Sequence, residues 1–381
     1  MVAARRIAVP LVFALVVIAL VIDVWTSSVP IGVDFHTYEA AAQVGLHQGW
    51  TRIYDQALVV AEQRRLVPDQ LTQPFISPPT VAWLAAALAP LPYWWAYYIW
   101  AAATLAAFAA ALMWSATSRG LARWVAVAAA IAPWWVLYAV HLGQVGPLVA
   151  AAVVLAWRFV RDQHNVAAGL VLSLVLLKPN TAFLVPFALL AAARYRTFAV
   201  WSVVAAVLSG VALLTLGTNG TAAYLSQLTG QLPAGAARLT VEGAFGLSGL
   251  AATAVRVVIV SAVLVSAIRL RGSPGLVIAA GILGSLLATP YLHAADLCLL
   301  AAAAWIVWEE RPSQAWRLPL AAGWLAASPF AGLSNLALTL SRWPLIELLL
   351  LAALMFEAFR PGREREAALT AEAELRTPSP A

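Results

Sequence analysis

Long runs of Ala, Leu and Val, separated by short polar stretches, repeat along almost the whole chain. None of these runs alternates apolar and polar residues with a period of two, so they predict helices and not the strands of a barrel. A helix needs about 20 apolar residues to cross roughly 30 Å of hydrocarbon. The pattern therefore predicts an all-α, polytopic integral membrane protein with about 11–13 transmembrane helices.

The first apolar run follows the basic start MVAARR and ends before Ile31. A cleaved signal peptide is one interpretation, but no clear A-x-A site precedes Ile31, which favours an uncleaved first span. Many of the 22 prolines lie within or beside apolar runs, which indicates broken helices. We predict further spans near residues 79–91, 94–115, 121–139, 147–160, 165–177, 180–193, 197–216, 248–268, 275–290, 293–308, 316–333 and 336–356.

The distribution of charged residues indicates how these spans are oriented in the membrane. Only 10% of the 381 residues are charged and 63% are hydrophobic, whereas soluble domains carry about 25% charged residues. The net charge of +6 comes largely from arginines in short loops and in the tail, which is the positive-inside pattern and not a signal for nucleic acid. This pattern predicts that Arg5 lies in the cytosol. The Ala-, Trp- and Arg-rich composition indicates a GC-rich bacterial genome, so we predict a multi-pass protein of the bacterial plasma membrane. Full crossings at both 79–91 and 94–115 would move Arg119 outside, so one predicted crossing in this region must be wrong.

The same orientation predicts one membrane domain with two long outer loops. Residues 1–360 form this domain, 26–77 its first outer loop and 217–247 its second, and the charged residues 361–381 predict a disordered cytosolic tail. In the first outer loop, DFHTYEAAAQVGLHQG predicts a short helix that begins at Asp34. YDQALVVAEQRRLV predicts a second helix on the membrane surface, so we expect amphipathic helices in this extracytoplasmic loop.

Polar side chains gather at the predicted outer ends of the spans. Gln144 lies between glycines in HLGQVGP, and Lys178 precedes a proline in LKPN. A lysine at the bilayer centre costs roughly 2.5–3.5 kcal/mol, so Lys178 either reaches to the interface or binds a phosphate. Asp34 is a helix N-cap, a catalytic carboxylate or both. His293 and Asp296, three residues apart, form either a structural pair or part of a site.

No metal or nucleotide motif accompanies these residues. The sequence contains no H-x-x-x-H or E-x-x-H pair, no Gly-rich phosphate loop and no nucleophile elbow. Cys298 is the single cysteine and lies in an apolar run, so it predicts a small buried side chain and no internal disulfide. We therefore predict no metal site, no cofactor and no nucleotide-dependent chemistry.

The order of four segments resembles a known family. VDFHTYEAAAQVGLHQGWTRIYD is followed by FISPPTVAWLAAALAPLP, by HLGQVGPLVAAAVV and by AAGLVLSLVLLKPNTAFLVPFALLAAARYRT. Together they resemble the GT-C superfamily of polytopic glycosyltransferases and, within it, glycosyltransferase family 87. That family is similar to mannosyltransferases that use polyprenyl-phosphate-mannose. The resemblance covers about residues 7–200 well and the remainder by topology only.

The resemblance implies a GT-C-like fold and an inverting sugar transfer on the outer face of the membrane. The donor would be a polyprenyl-phosphate sugar, with mannose the first expectation, and the acceptor a lipid or glycan. Asp34 would be the catalytic base and His293 its catalytic partner. An asparagine motif expected in the second outer loop is not obvious in RLTVEGAFGLSG. The residues that we expect to bind substrate are His36, Tyr38, Gln144, Lys178, Asn180, Arg238 and Asp296.

Two other functions fit part of the pattern. Charged residues within spans and broken helices also suit a transporter or lipid flippase, but such proteins place polar groups near the middle of the bilayer and often contain an internal repeat. Here the polar residues cluster on one predicted side, and the halves of the chain show no repeat. The third hypothesis is a catalytically inactive scaffold of envelope synthesis.

Overall fold

A computed structural model describes residues 29–230, 239–310, 314–326 and 336–360, together with Ile18. All regular structure within these residues is helical, which confirms the all-α prediction. The predicted first span, apart from Ile18, lies outside the described residues. So do Arg238 and the predicted tail at 361–381.

Two helices form most of the first predicted outer loop, α1 (Val33–Gln48) and α2 (Gln56–Leu66). Asp55 is the N-cap of α2 and accepts hydrogen bonds from two backbone amides of its first turn. Only Val59 and Gln63 are buried in α2, as an amphipathic helix requires, whereas every residue of α1 from Val33 to Gly45 is buried. The prediction of an amphipathic α1 is therefore wrong, because α2 and the helix after residue 78 pack against it.

The predicted span at 79–91 is also wrong. Helix α3 (Pro79–Ala86) has 8 residues, which is about 12 Å at 1.5 Å per residue and too short to cross a bilayer. Helix α4 (Tyr93–Ser115) follows and has 23 residues. With α3 removed from the count, one crossing carries the chain from the first loop to Arg119. This resolves the conflict of orientation found in the sequence.

The next helices are short or broken. Pro133 separates α5 (Leu121–Ile131) from α6 (Trp134–Leu142), and the two are bent by 66°. A long helix α7 (Gly146–Arg161) leads back. The chain then forms α8 (Asn165–Leu172), 3₁₀ turns at Ser173–Leu177 and Pro179–Thr181, and α9 (Leu184–Ala191).

The remaining helices include one long helix with a break. Helix α10 (Tyr195–Gly230) contains a break at Gly217, where φ is 61°, and then continues. The second predicted outer loop, 217–247, therefore begins as helix. After it come α11 (Val241–Phe245), α12 (Gly249–Arg269), α13 (Pro274–Ala288), a 3₁₀ turn at Ala294–Leu297, α14 (Cys298–Glu309), α15 (Gln314–Ala326) and α16 (Leu336–Phe359).

Three of the described helices, α4, α10 and α12, are long and apolar enough to cross a membrane, and the bent pair α5–α6 makes a fourth if it is one span. The polytopic architecture is thus confirmed, while the total of about 11–13 spans stays a prediction that needs shorter helices to cross as well. Close helix packing is visible at Gly281 of α13, where a Cβ atom would lie 2.8 Å from the Cα atom of Val185 in α9.

The bundle has two polar ends. At one end, which we call the site end, lie the first turn of α1, the α6–α7 turn, and the breaks before α9 and α14. At the opposite end, the backbone amide of Thr117 donates to Glu309 (2.5 Å). Glu310 accepts there from Trp157 (3.2 Å) and from the backbone amide of Gly275 (2.7 Å). Consecutive helical segments from α4 to α7 and from α13 to α14 therefore run in alternating directions between the two ends.

We predict that Glu310→Ala lowers the free energy of unfolding by about 1–3 kcal/mol, because it leaves the indole N–H of buried Trp157 and the amide of Gly275 without their acceptor. Glu310→Gln is the matched control, since it keeps a side-chain oxygen at the same position. Thermal unfolding in detergent measures both variants. Equal losses for the two would contradict the assigned acceptor role.

Candidate active site

A glycine and the adjoining chain fix the start of α1. Gly32 is the N-cap with φ 74°, and its amide donates to the carbonyl of His141 (2.7 Å). A side chain at Gly32 would place Cβ 2.7 Å from the hydroxyl of Tyr93, which itself donates to the Gly32 carbonyl (2.9 Å). No side chain caps α1, so Asp34 is not the N-cap that one interpretation of the sequence proposed. Its carboxylate is available for contacts across the bundle.

Gln144 makes the first of these contacts. It follows Gly143, whose φ of 72° favours glycine and whose Cβ position would lie 2.5 Å from Cβ of Phe35. This close approach brings the α6–α7 turn against α1. The amide nitrogen of Gln144 donates to Oδ2 of Asp34, and its oxygen accepts from the hydroxyl of Tyr38 (3.2 Å). Tyr38 lies one helical turn after Asp34, so both reach the same amide.

The broken segment before α9 supplies the cation. Lys178 has non-helical φ and ψ of −148° and 70°, and Pro179 follows it. Its ammonium group donates to the oxygen of Gln144 and forms an ion pair with Asp296. The side chain of Lys178 is 13% exposed and that of Asp296 is fully buried. An ammonium has three donors, so these two contacts leave one for a ligand.

Asp296 joins two further predicted residues to the network. The backbone amide of His293 donates to Oδ2 of Asp296 (2.8 Å), and Nδ1 of His293 accepts from the amide of Ala295 (3.5 Å) in a reciprocal capping box. The side-chain amide of Asn180 donates to Asp296 Oδ2 at 3.4 Å. One polar network thus runs from Asp34 through Gln144 and Lys178 to Asp296.

A tyrosine that the sequence analysis missed lies beside this network. The ring of Tyr138 is parallel within 12° to that of His141 and within 10° to that of His293, with 6.2 Å between centroids in each pair. Its position three residues before His141 on one helix was the available signal. The ring of Tyr138 therefore lies between those of the two histidines, on the side of the network that holds His293.

Two predicted site residues do not join the network. Nε2 of His36 donates to the Gln63 carbonyl (2.7 Å) and the ring lies edge-on to Tyr93, so His36 ties α2 to α1 on another face. Arg238 lies outside the described residues. Among the residues that the structure describes, no three His, Cys, Asp or Glu side chains form a group that could hold a metal ion.

Burial sets the protonation chemistry of Asp34. Removal from water raises the pKa of its carboxyl above the ordinary 3.8, and the nearby His293, Lys178 and the hydrogen bond from Gln144 oppose this rise. The residue is only 9% exposed. Its Oδ1 accepts no hydrogen bond from the described part of the chain. A carboxylate with one oxygen held, one oxygen open and a raised pKa is suited to take a proton from a hydroxyl.

The comparisons with known proteins agree with the sequence motifs. The model of glycosyltransferase family 87 matches residues 75–329, which is more than half of the chain and includes Gln144, Lys178 and Asp296. Asp34 lies before the matched range. A search of curated proteins and a search of solved structures gave no match.

We predict that Lys178→Met destabilises the fold by about 3–5 kcal/mol, because the charge of fully buried Asp296 loses its cation. The double variant Lys178→Met/Asp296→Asn removes that charge and should recover most of the stability, although it still lacks the cation. Thermal unfolding of the wild type and of both variants tests this. If the double variant is no more stable than the single one, the charge of Lys178 does not offset the desolvation of Asp296.

Proposed function

This chain belongs to glycosyltransferase family 87. From that premise we propose that it transfers a sugar from a polyprenyl-phosphate donor to a lipid or glycan hydroxyl, with mannose as the first candidate for the sugar. The transfer takes place at the outer face of the membrane, with Asp34 as general base. The observation that carries the proposal is the amide of Gln144, which connects a buried carboxylate to a buried ammonium.

The reaction is a single displacement with inversion at the anomeric carbon. The acceptor oxygen forms a bond to this carbon while the bond from the carbon to the phosphate oxygen breaks. The hydroxyl proton passes to Oδ1 of Asp34, and the electron pair leaves with the polyprenyl phosphate. General base catalysis of this kind contributes typically about 10²–10⁴-fold. The donor already contains its leaving group, so no nucleoside triphosphate is needed.

Lys178 binds the phosphate. The leaving group gains negative charge as the sugar departs, and a fixed cation in a dry site stabilises that charge more than water would. Lys178 is held by Gln144 and Asp296, so it does not have to be ordered when the donor binds. Asn180 and Tyr38 donate within the same network and are the next candidates for substrate contacts. Arg238 stays a candidate from the sequence alone.

His293 supports the base. Its imidazole lies close enough to Asp34 for its charged form to lower the pKa of the carboxyl. A histidine in this position favours the ionised form of Asp34 before the reaction. The stacked ring of Tyr138 and the contact of His293 Nδ1 with its own turn keep the imidazole in place.

The distribution of arginines supports an outer location. Arg119, Arg158 and Arg269 lie near the opposite end of the bundle, where α4, α7 and α12 end. The positive-inside rule assigns such an end to the cytosol, so the site end faces outward. A polar network at one end also suits transfer at a membrane surface better than transport, for which polar groups lie near the middle of the bilayer.

We predict that Asp34→Asn lowers kcat by about 10²–10⁴-fold, because it removes the proton acceptor. The fold should remain at least as stable at neutral pH, since burial disfavours the ionised carboxyl and an asparagine oxygen can still accept from Gln144. The assay measures sugar transfer from a synthetic polyprenyl-phosphate-mannose in proteoliposomes.

Asp55→Asn is the matched control for this experiment. Asp55 is a carboxylate of the same loop, but its side chain is 41% exposed and caps α2. It should retain turnover within about a factor of two, because an asparagine is an equally good N-cap. Retained turnover in Asp34→Asn would refute the assigned base.

The pH profile gives a separate prediction. The base must be ionised, so log kcat/KM should fall with unit slope as the pH drops through the pKa of Asp34. Because burial raises that pKa, the midpoint of the acidic limb should lie above 3.8. The free energy of unfolding should change in the opposite sense. It should decrease as the pH rises through the same pKa, because burial disfavours the ionised carboxyl. An acidic limb with its midpoint at or below 3.8 would contradict the buried base.

A further inference from the structure

Two tyrosine hydroxyls beside the polar network are open to a ligand. Those of Tyr138 and Tyr291 make no hydrogen bond within the residues that the structure describes, and neither hydroxyl is fully enclosed. Both side chains are half-buried. The hydroxyls of Tyr54, Tyr93 and Tyr97, by contrast, each donate to a backbone carbonyl. Two groups that can each donate and accept are therefore left for a substrate.

The chain holds Tyr291 next to the ion pair of the network. Its carbonyl accepts from the side-chain amide of Asn180 (3.4 Å), which also donates to Asp296. Burial raises the pKa of the Tyr291 hydroxyl, and the charges of Asp296 and Asp34 raise it further, so the hydroxyl stays protonated at neutral pH. Tyr291 thus lies alongside the part of the network that connects Lys178 to Asp34.

Tyr138 lies on the side of the base. Among the carboxylates of the described residues, Asp34 alone acts on its hydroxyl. Its ring is held between the parallel rings of His141 and His293. Nε2 of His141 in turn donates to the carbonyl of Val29 (2.9 Å). The hydroxyl of Tyr138 is therefore carried by a fixed ring close to Asp34.

We propose that Tyr291 binds a hydroxyl of the donor sugar and that Tyr138 binds a second hydroxyl of the acceptor. The inference rests on the proposed function and adds which substrate each tyrosine recognises. In a single displacement, the donor sugar lies between the departing phosphate at Lys178 and the acceptor oxygen at Asp34. The tyrosine that is close to both ends of this line adjoins the donor sugar. The tyrosine that is close to Asp34 alone adjoins the acceptor.

The assignment of Tyr138 specifies the class of acceptor. A simple lipid alcohol has only the hydroxyl that reacts, whereas a sugar or another polyol has a neighbouring hydroxyl as well. A tyrosine hydroxyl can donate to that group or accept from it, and its ring can pack on the C–H groups of the sugar. A site that bonds a hydroxyl disfavours analogues that lack it, because its own polar group stays unpaired. The acceptor is therefore a polyol, such as the terminal sugar of a glycan.

The test removes one hydroxyl from the protein and one from the substrate. Tyr291→Phe and Tyr138→Phe keep the aromatic rings and lose only the oxygen. Tyr224→Phe is the matched control, because Tyr224 is also half-buried but its ring packs against Tyr54 (4.7 Å between centroids). KM is measured in detergent for polyprenyl-phosphate-mannose as donor and for a mannoside as acceptor. The measurements are repeated with monodeoxy analogues of each substrate, which lack one sugar hydroxyl at a time.

Tyr291→Phe should raise KM of the donor by about 3–10-fold, as the loss of one hydrogen bond does, and leave KM of the acceptor within about a factor of two. Tyr138→Phe should do the reverse, and Tyr224→Phe should change neither. With the one deoxy analogue that lacks the partner hydroxyl, each variant should match the wild type. Unchanged KM values, equal rises for both substrates, or a rise that no deoxy analogue removes would overturn the proposal.

Failure of the proposed function gives a different result. If the wild type itself transfers no sugar, the reaction is wrong, and sugar binding is measured directly by saturation-transfer NMR with methyl mannoside. Weaker binding in Tyr138→Phe or Tyr291→Phe than in the wild type and Tyr224→Phe would support the two hydroxyls as a sugar site. Equal binding by all four proteins, or binding by none, would overturn it.

Discussion

The polar centre of this protein depends on one amide, that of Gln144. An amide can donate and accept at the same time, and this one donates to Asp34 while it accepts from Tyr38 and Lys178. Without this bridge the carboxylate of Asp34 would carry an uncompensated desolvation cost, whereas the ammonium of Lys178 also pairs with Asp296. The bridge joins both charges in one network and keeps Asp34 and Lys178 at a fixed separation.

Close backbone contacts make this bridge possible. The turn that carries Gln144 approaches α1 at Gly143, and the following helix approaches α14 at Gly146, where a Cβ atom would lie 2.8 Å from Sγ of Cys298. Any side chain at these two positions would push α1 or α14 outward. Hydrogen bonds act only over short distances, and the surrounding lipid offers polar groups no other partners. Small residues at the contacts therefore decide whether the polar groups meet at all.

Much of this arrangement was predictable, and the limits have physical causes. Apolar runs predicted α7 and α12 within one or two residues, because period and length depend on local sequence alone. The same reasoning failed at 79–91. This run begins at a proline and is apolar enough for a span, but its hydropathy does not indicate the residue at which the helix ends. Lys178 stood out as a charge in an apolar run, but its contact with Gln144 spans 34 residues and depends on packing. His36 looked equally polar, yet its helical position turns it to another partner.

The exclusion of water from the site connects the fold to the proposed chemistry. Water is a rival acceptor for any activated sugar, and Asp34 and Lys178 are 9% and 13% exposed. A base that faced bulk water would activate a water molecule as readily as a sugar hydroxyl and would hydrolyse the donor. Burial in α1 removes this competition, and it also raises the pKa of Asp34, so the proton of the acceptor has a stronger base to reach. Burial also removes the negative charge of Asp34 from water, and Gln144 and Lys178 offset the resulting loss of hydration. In the proposed reaction, the same burial would account for both the exclusion of water as acceptor and the strength of Asp34 as a base.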